Sequence, residues 1–196
     1  MTTEEIVARM KSGEMYNDAH PLLEAERARA ARLCDEYNSL YRADEARRTE
    51  ILGELLRHAG KNARFERFFR CEFGFNISVG DNFFANYDCV MLDCNDIIIG
   101  DNVMFGPRVG IYTSNHANDP AERRLGGCYS EPVRIGSDVW VGAGTHIIQG
   151  VTIGSGSIIG AGSVVTHDIP ENSVAAGIPC RVIRKITEAD RTGWRP

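Results

Sequence analysis

The amino-acid sequence predicts an all-β core folded as a parallel β-helix, preceded by a helical segment. Three observations support this prediction. Aliphatic residues recur every six positions in the later part of the chain, glycine, aspartate and asparagine cluster between them, and residues 1–62 carry helix caps and apolar stripes instead. A repeat of fixed period predicts the fold better than the secondary-structure propensity of each segment, because stacked repeats bury one continuous core.

Residues 1–62 are predicted to form three helices with solvated faces of arginine and glutamate. Their start signals are Thr2 or Thr3, Pro21 after His20, and Asp44. The helices are expected to run to Lys11, to roughly Tyr41 and to a stop at Gly60.

The hexads are clearest after residue 134. Their aliphatic positions are Ile135, Val141, Ile147, Ile153, Ile159 and Val165, and a second small or apolar residue follows four places later in each. An earlier block from Val79 to Ile111 has the same period with one slip of two residues. If each hexad is a short strand plus a turn, three hexads close a triangular coil, and coils pair at about 4.8 Å per rung. Each aliphatic side chain is then expected to stack on its equivalent 18 residues away.

The corners of these coils are predicted at Gly80-Asp81-Asn82 and Gly100-Asp101-Asn102, because glycine tolerates positive φ and short polar side chains bond the local backbone. A β-sandwich is the alternative, but its turns would recur about every 8–12 residues. The spacing leaves the handedness open, and the general crossover rule would favour a right-handed coil.

Residues 113–132 contain no hexad register and are expected to leave the β-helix as a polar loop. Rigid scaffolds often carry functional residues on such loops. His116 lies in this loop, and its imidazole could accept a hydroxyl proton near neutral pH or be an ordinary exposed histidine.

Taken together, these patterns predict a helical segment 1–62, a β-helix 63–186 and a tail 187–196.

The composition excludes several classes of protein. The 196 residues carry a net charge of −5, with 43% hydrophobic and 25% charged residues, as in soluble globular proteins. A protein with a net negative charge is not expected to bind nucleic acid, because the phosphate backbone is also negative. Because the sequence has no apolar run of about 20 residues and no apolar leader, we expect a cytoplasmic protein without a membrane partner. Its six cysteines show no Cys-x-x-Cys pair and are predicted to be free thiols.

Several motifs resemble the maltose and galactoside O-acetyltransferases of the hexapeptide-repeat acyltransferases. They are Gly-Glu-Met-Tyr-Asn-Asp (13–18), Gly-Asp-Asn-Phe-Phe-Ala-Asn-Tyr-Asp (80–88), Val-Met-Leu-Asp (90–93), Ile-Tyr-Thr-Ser-Asn-His (111–116), Val-Trp-Val-Gly (139–142) and Ala-Ala-Gly-Ile-Pro-Cys-Arg-Val-Ile-Arg (175–184). The resemblance implies a left-handed β-helix and a homotrimer with active sites between subunits. It also implies acetyl transfer from acetyl-CoA to a sugar, without a metal and without an acyl-enzyme.

The same resemblance assigns roles to individual residues. His116 is implied as the catalytic base, and the backbone N–H of Ala143 as the oxyanion donor. The implied sugar contacts are Asp18, Glu72, Asn86 and Asp93. The implied acetyl-CoA contacts are Asn86, Ala143, Ala161, Thr166, His167, Arg181 and Arg184. His167 is a departure, since relatives carry lysine there. Without the resemblance, Asn86 and Asp93 would be interpreted as turn formers.

Two alternatives differ in class, and a third differs only in the acceptor. Zinc lyases also use hexapeptide β-helices with three histidine ligands, but His146 and His167 are 21 residues apart, out of step with an 18-residue coil. A noncatalytic assembly scaffold would not need the histidine loop. Within the enzyme class, the acceptor could be a serine-type hydroxyl or an amino sugar.

Overall fold

The computed structural model describes residues 2–41 and 44–195. Its helices are α1 (Thr3–Lys11), α2 (Pro21–Ser39), α3 (Glu45–Leu55) and α4 (Pro120–Arg124), with a 3-10 turn at Glu188–Asp190. The first three have side-chain N-caps from Thr2, His20 and Asp44, as expected for residues that satisfy free N–H groups at a helix start. No helix among these residues is long and apolar enough to cross a membrane.

Twenty short strands make up the rest of the regular structure in the described ranges. They are β1 (Tyr16–Asn17), β2 (His58–Ala59), β3 (Arg64–Phe65), β4 (Arg70–Cys71), β5 (Ile77–Val79), β6 (Phe84–Ala85), β7 (Val90–Leu92), β8 (Ile97–Ile99), β9 (Met104–Phe105), β10 (Gly110–Tyr112), β11 (Ser114–His116), β12 (Gly127–Ser130), β13 (Val133–Ile135), β14 (Trp140–Val141), β15 (His146–Ile148), β16 (Thr152–Ile153), β17 (Ile158–Ile159), β18 (Val164–Val165), β19 (Ser173–Gly177) and β20 (Cys180–Lys185).

The strands of the coils form the three faces of a prism. The first face has the order β16-β13-β8-β5-β2, the second β20-β19-β17-β14-β9-β6-β3, and the third β18-β15-β10-β7-β4. All pairs on these faces are parallel except β19 with β20. The all-β core with an N-terminal helical segment that the hexads predicted is therefore confirmed.

The third helix is shorter than expected. It ends at Leu55, so the predicted stop at Gly60 is wrong. The backbone of Leu56 is extended, and β2 already belongs to the first face, five residues before the boundary at residue 63. Gly60 instead lies at the first corner, where a Cβ atom would come within 2.5 Å of the backbone of Asp81.

The predicted stacks form the core, but the coils differ in length. In the later coils Ile135 pairs with Ile153 and Val141 with Ile159, as the 18-residue spacing predicts. In the first coils Ile77 pairs with Ile97, so an 18-residue coil is wrong there and the repeat is 20 residues. The additional residues lie at the corner between the third and first faces, where buried polar side chains stabilise a wider turn.

The predicted Gly-Asp-Asn corners carry a ladder of amide side chains. Asn62, Asn82 and Asn102 adopt positive φ and each donates a side-chain hydrogen bond of 3.0 Å to the next corner, ending on Asp138. Asparagine suits this position because it tolerates the left-handed conformation and bonds its neighbours.

The helices α2 and α3 cover the first coil. The Tyr37 hydroxyl donates to the carbonyl of Phe65 at 2.9 Å, and the Asn38 amide donates to Phe69 at 3.0 Å. Arg48 is only 2% exposed, donates to Phe65 and lies over the Tyr37 ring. Its assignment to a solvated face is therefore wrong.

The expected loop leaves the prism between β10 and β13, as predicted, but it is folded. The strands β11 and β12 form an antiparallel pair with α4 between them, and β1 adds a third strand. The Asn95 amide donates to Ser130, and the Ser130 hydroxyl donates to the carbonyl of Met10. The loop is thus fixed to both the β-helix and the N-terminal segment.

Candidate active site

His116 lies in this small antiparallel sheet beside the β-helix. It pairs across the sheet with Cys128, and Cys128 pairs with Tyr16. Directly opposed residues of antiparallel strands have their side chains on the same face. His116, Cys128 and Tyr16 therefore form one row, and Ser114, two residues earlier, shares that face.

The His116 side chain is exposed while its backbone is held in place. The Arg123 guanidinium of α4 donates to the carbonyls of Ala117 and Asn118 at 2.8 and 3.1 Å, which fixes the chain after the histidine. No residue in the described part of the chain accepts from or donates to the imidazole. The ring is therefore available to a ligand.

A charged cluster lies near this row. The Arg27 guanidinium donates to Glu72 and to Asp18 at 2.5 Å each, and also to the Asp18 carbonyl and to Glu24. Burial alone would lower the pKa of Arg27, but the hydrogen bonds and attraction from Glu72 and Asp18 raise it above its usual value. Arg27 therefore stays charged and holds the two carboxylates side by side.

Arg27 was assigned to a solvated face from the sequence, and that interpretation is wrong. The buried residues Leu23, Ala30, Cys34 and Tyr37 define the inward stripe of α2, and Arg27 falls within their helical spacing. A single charged residue inside an apolar stripe was the signal that could have identified it.

The thiol of Cys94 joins the cluster. One donor atom each from Asp18, Glu72 and Cys94 lies within 4.8 Å of the others, and no second group of this kind occurs among the described residues. Both carboxylates are already bonded to Arg27, and burial raises the pKa of Cys94 to about 12. The zinc alternative needs three histidine ligands, whereas this group, the one found among the described residues, contains no histidine.

Asp93 lies beneath this cluster and is fully buried. Its carboxylate accepts N–H groups from Phe73 at 2.9 Å and Asn76 at 3.1 Å, and its carbonyl accepts from the Asn76 side chain. The sugar contact expected of Asp93 stays a prediction. In the structure, Asp93 fixes the wide corner that carries Glu72.

The stability of the protein should respond to Asp93. Burial raises the pKa of its carboxyl group to about 7, although hydrogen bonds from Phe73 and its neighbours oppose the rise. The folded state therefore binds a proton that the unfolded state has lost, and the contribution of Asp93 to stability falls as pH rises from about 4 to about 7. We expect urea unfolding of Asp93→Asn to lose this component of the pH dependence. Exposed Asp88→Asn should keep it, and equal pH profiles for wild type and Asp93→Asn would contradict the assignment.

The expected acetyl-CoA residues form a column at another corner. Asn86 follows β6, Ala143 follows β14 and Ala161 follows β17, all between the second and third faces. A Cβ atom on Gly142 would come within 2.5 Å of the Ala161 nitrogen, so only glycine permits this close stacking. The Ala143 N–H donates to no residue in the described ranges, which leaves it open toward solvent.

The remaining expected contacts lie at the far end of the β-helix. Thr166 and His167 follow β18 and bond each other at 2.8 Å. Arg181 and Arg184 are exposed on β20. Arg184 holds both carboxylate oxygens of Asp190 at 2.7 and 2.9 Å, a forked geometry that guanidinium groups also use for phosphate.

Five of the predicted residues fall into two sets. His116, Asp18 and Glu72 lie at the corner between the third and first faces, which we call the acceptor corner. Asn86 and Ala143 lie at the corner between the second and third faces, which we call the thioester corner. Within one chain, the whole third face separates the two corners.

Comparison with known proteins gives the same assignment as the motifs. The maltose acetyltransferase hexapeptide capping motif matches residues 9–60, and the bacterial transferase hexapeptide (six repeats) matches residues 132–167. The crystal structure of a maltose O-acetyltransferase from Clostridium difficile 630 superposes with a TM-score of 0.90 at 48% identity, covering 93% of this chain and 98% of that one. The chain belongs to the maltose and galactoside O-acetyltransferase family.

Other members of the family are similarly close. A galactoside acetyltransferase solved in complex with coenzyme A has a TM-score of 0.89 and 39% identity, with 94% of this chain and 92% of that chain covered. A putative acetyltransferase of Saccharomyces cerevisiae is 48% identical over 183 residues, 92% of each chain. The family resemblance inferred from the motifs is thus confirmed.

Proposed function

We propose that the protein transfers the acetyl group of acetyl-CoA to a hydroxyl of a sugar such as maltose, glucose or a galactoside, with His116 as general base. The observation that carries the proposal is the unbonded His116 imidazole in one row with Cys128 and Tyr16. This row lies beside the cluster in which Arg27 holds Asp18 and Glu72. Carboxylates and guanidinium groups together can bond several sugar hydroxyls while presenting one of them to the imidazole.

The chemical step needs two groups of the protein, a base and an oxyanion donor. The imidazole of His116 takes the proton of the acceptor hydroxyl as its oxygen attacks the thioester carbon. The carbonyl oxygen then becomes an oxyanion, to which the open Ala143 N–H would donate. As the carbon–sulfur bond breaks, the imidazolium returns its proton to the thiolate of coenzyme A, which leaves an acetyl ester.

The acetyl-CoA molecule is proposed to lie along the column from Asn86 to Ala161. The Asn86 side-chain oxygen accepts from the Tyr87 N–H at 2.8 Å, so its amide nitrogen remains as a donor for the ligand. Arg181 and Arg184 would meet the nucleotide phosphates. Thr166 and His167 follow β18, at the edge between the third and first faces, so in a trimer they would approach the ligand from a neighbouring copy. Phosphate would replace the Asp190 carboxylate on Arg184.

We also propose a homotrimer in the cytoplasm. The acceptor and thioester corners are one face apart in a single chain, so a site with both needs the acceptor corner of one copy against the thioester corner of the next. The described cysteines are free thiols, which suits a reducing compartment. We expect a sedimentation mass three times the 21.7 kDa of one chain. A single-chain mass at micromolar concentration would contradict the trimer.

The acceptor class is tested by an acceptor screen with acetyl-CoA. Release of free thiol should rise with glucosyl or galactosyl sugars, and the product should lose its acetyl group in hydroxylamine, as an ester does. A product that resists hydroxylamine would indicate an amide and therefore an amino sugar. Release with serine but with no sugar would favour the serine-type acceptor, and failure to bind acetyl-CoA would favour a scaffold.

A further inference from the structure

Two cysteine side chains meet where α2 packs on the first coil. Cys34 is fully buried in α2, and Cys71 is partly exposed in β4. Their sulfur atoms are 3.7 Å apart, within contact distance but not bonded. The neighbouring bonds from Tyr37 and Asn38 to the first coil fix this approach, so it does not depend on a mobile segment.

We propose that Cys34 and Cys71 form a redox-sensitive pair, which a hydroperoxide oxidises to a disulfide that joins α2 to the β-helix. A disulfide needs a sulfur–sulfur distance of about 2.05 Å. Small side-chain rotations can close the remaining gap, because both sulfur atoms already face each other.

The oxidation balances as a two-electron reaction. The hydrogen bond from Cys71 lowers the pKa of the Cys34 thiol, so Cys34 supplies the thiolate. Because Cys71 is partly exposed, peroxide reaches the pair from the Cys71 side. The thiolate attacks one peroxide oxygen, the oxygen–oxygen bond breaks and a sulfenic acid forms. The Cys71 sulfur then attacks the Cys34 sulfur, and hydroxide leaves and takes the Cys71 proton. Two thiols and one hydroperoxide thus give a disulfide, water and the reduced peroxide product.

The pair lies close to the acceptor corner. Cys71 immediately precedes Glu72, and Cys34 follows Arg27 by seven residues, which is two turns along the same face of α2. A covalent bond there would hold the contact between Arg27 and Glu72. We therefore expect oxidation to lower the KM for the acceptor while the acetyl-CoA dissociation constant stays constant. This expectation rests on the proposed function, and an unchanged KM would overturn the coupling.

Disulfide formation itself is tested without any activity assay. Peroxide-treated protein should lose about 2 Da, reversibly with dithiothreitol. Trypsin should then yield residues 33–42 linked to residues 71–108. Because residues 71–108 also contain Cys89 and Cys94, fragmentation must locate the bond at Cys71.

Variants separate the pair from the other thiols. The link should disappear in Cys71→Ser and persist in Cys180→Ala, which removes a buried thiol at the far end of the β-helix. The oxidised wild type should melt about 5–10 °C higher than the reduced protein. A link through Cys89 or Cys94, oxygen addition without a link, or an unchanged melting temperature would overturn the proposal.

Discussion

Replacing His116 by alanine is expected to lower the turnover number by about 10²–10⁴-fold, or roughly 3–5 kcal/mol of barrier, because the acceptor hydroxyl loses its general base. The dissociation constant of acetyl-CoA should change little, since the ligand is proposed to bind at the thioester corner. The fold should persist, because the His116 side chain is exposed and supports no core packing.

The measurement pairs the turnover number with the acetyl-CoA dissociation constant on one preparation, with circular dichroism as the check on folding. His58→Ala is a matched control, since His58 is an exposed strand histidine on the first coil to which the proposed mechanism gives no role. Near-wild-type turnover in His116→Ala would remove the residue from the mechanism.

Replacing Arg27 by leucine is expected to reduce kcat/KM for the sugar by about 10–100-fold, the effect of losing hydrogen bonds of roughly 1.5–3 kcal/mol to charged groups. Without the guanidinium, the carboxylates of Asp18 and Glu72 repel each other at the acceptor corner. Arg27→Lys should be intermediate, because an ammonium group keeps the charge but cannot fork between two carboxylates.

The control is Arg32→Leu, because Arg32 is exposed on the same helix. It should leave the acceptor kinetics unchanged. Arg27→Leu should also leave the acetyl-CoA dissociation constant unchanged. If both arginine variants have wild-type kcat/KM, Arg27 does not shape the acceptor corner.

The sequence predicts most of the fold because the hexad period is imposed by geometry. Each predicted aliphatic position from Ile135 to Val165 is buried, since a residue that recurs with the coil always faces inward. The helix caps at Thr2 and Asp44 were equally predictable, because capping depends on residues only two or three positions away.

The acceptor corner was less predictable because it depends on contacts between residues far apart in sequence. Arg27 meets Glu72 across 45 positions, and no local pattern encodes that distance. The 20-residue coils place Asp93 under the Phe73–Asn76 backbone, so a residue whose local sequence indicates only a turn former is a buried acceptor of N–H groups. The roles of Asn86 and Ala143 stay predictions from the family resemblance.

The central claim is that a complete site combines the acceptor corner of one copy with the thioester corner of another. It is tested most directly by co-expressing two inactive variants, His116→Ala and Asn86→Ala, with different affinity tags and purifying the mixed oligomers. In every mixed cyclic trimer, one interface in three joins an intact His116 corner to an intact Asn86 corner. We therefore predict recovery of about a third of wild-type turnover in the purified mixed oligomers. Activity no greater than that of the separate variants would contradict the claim.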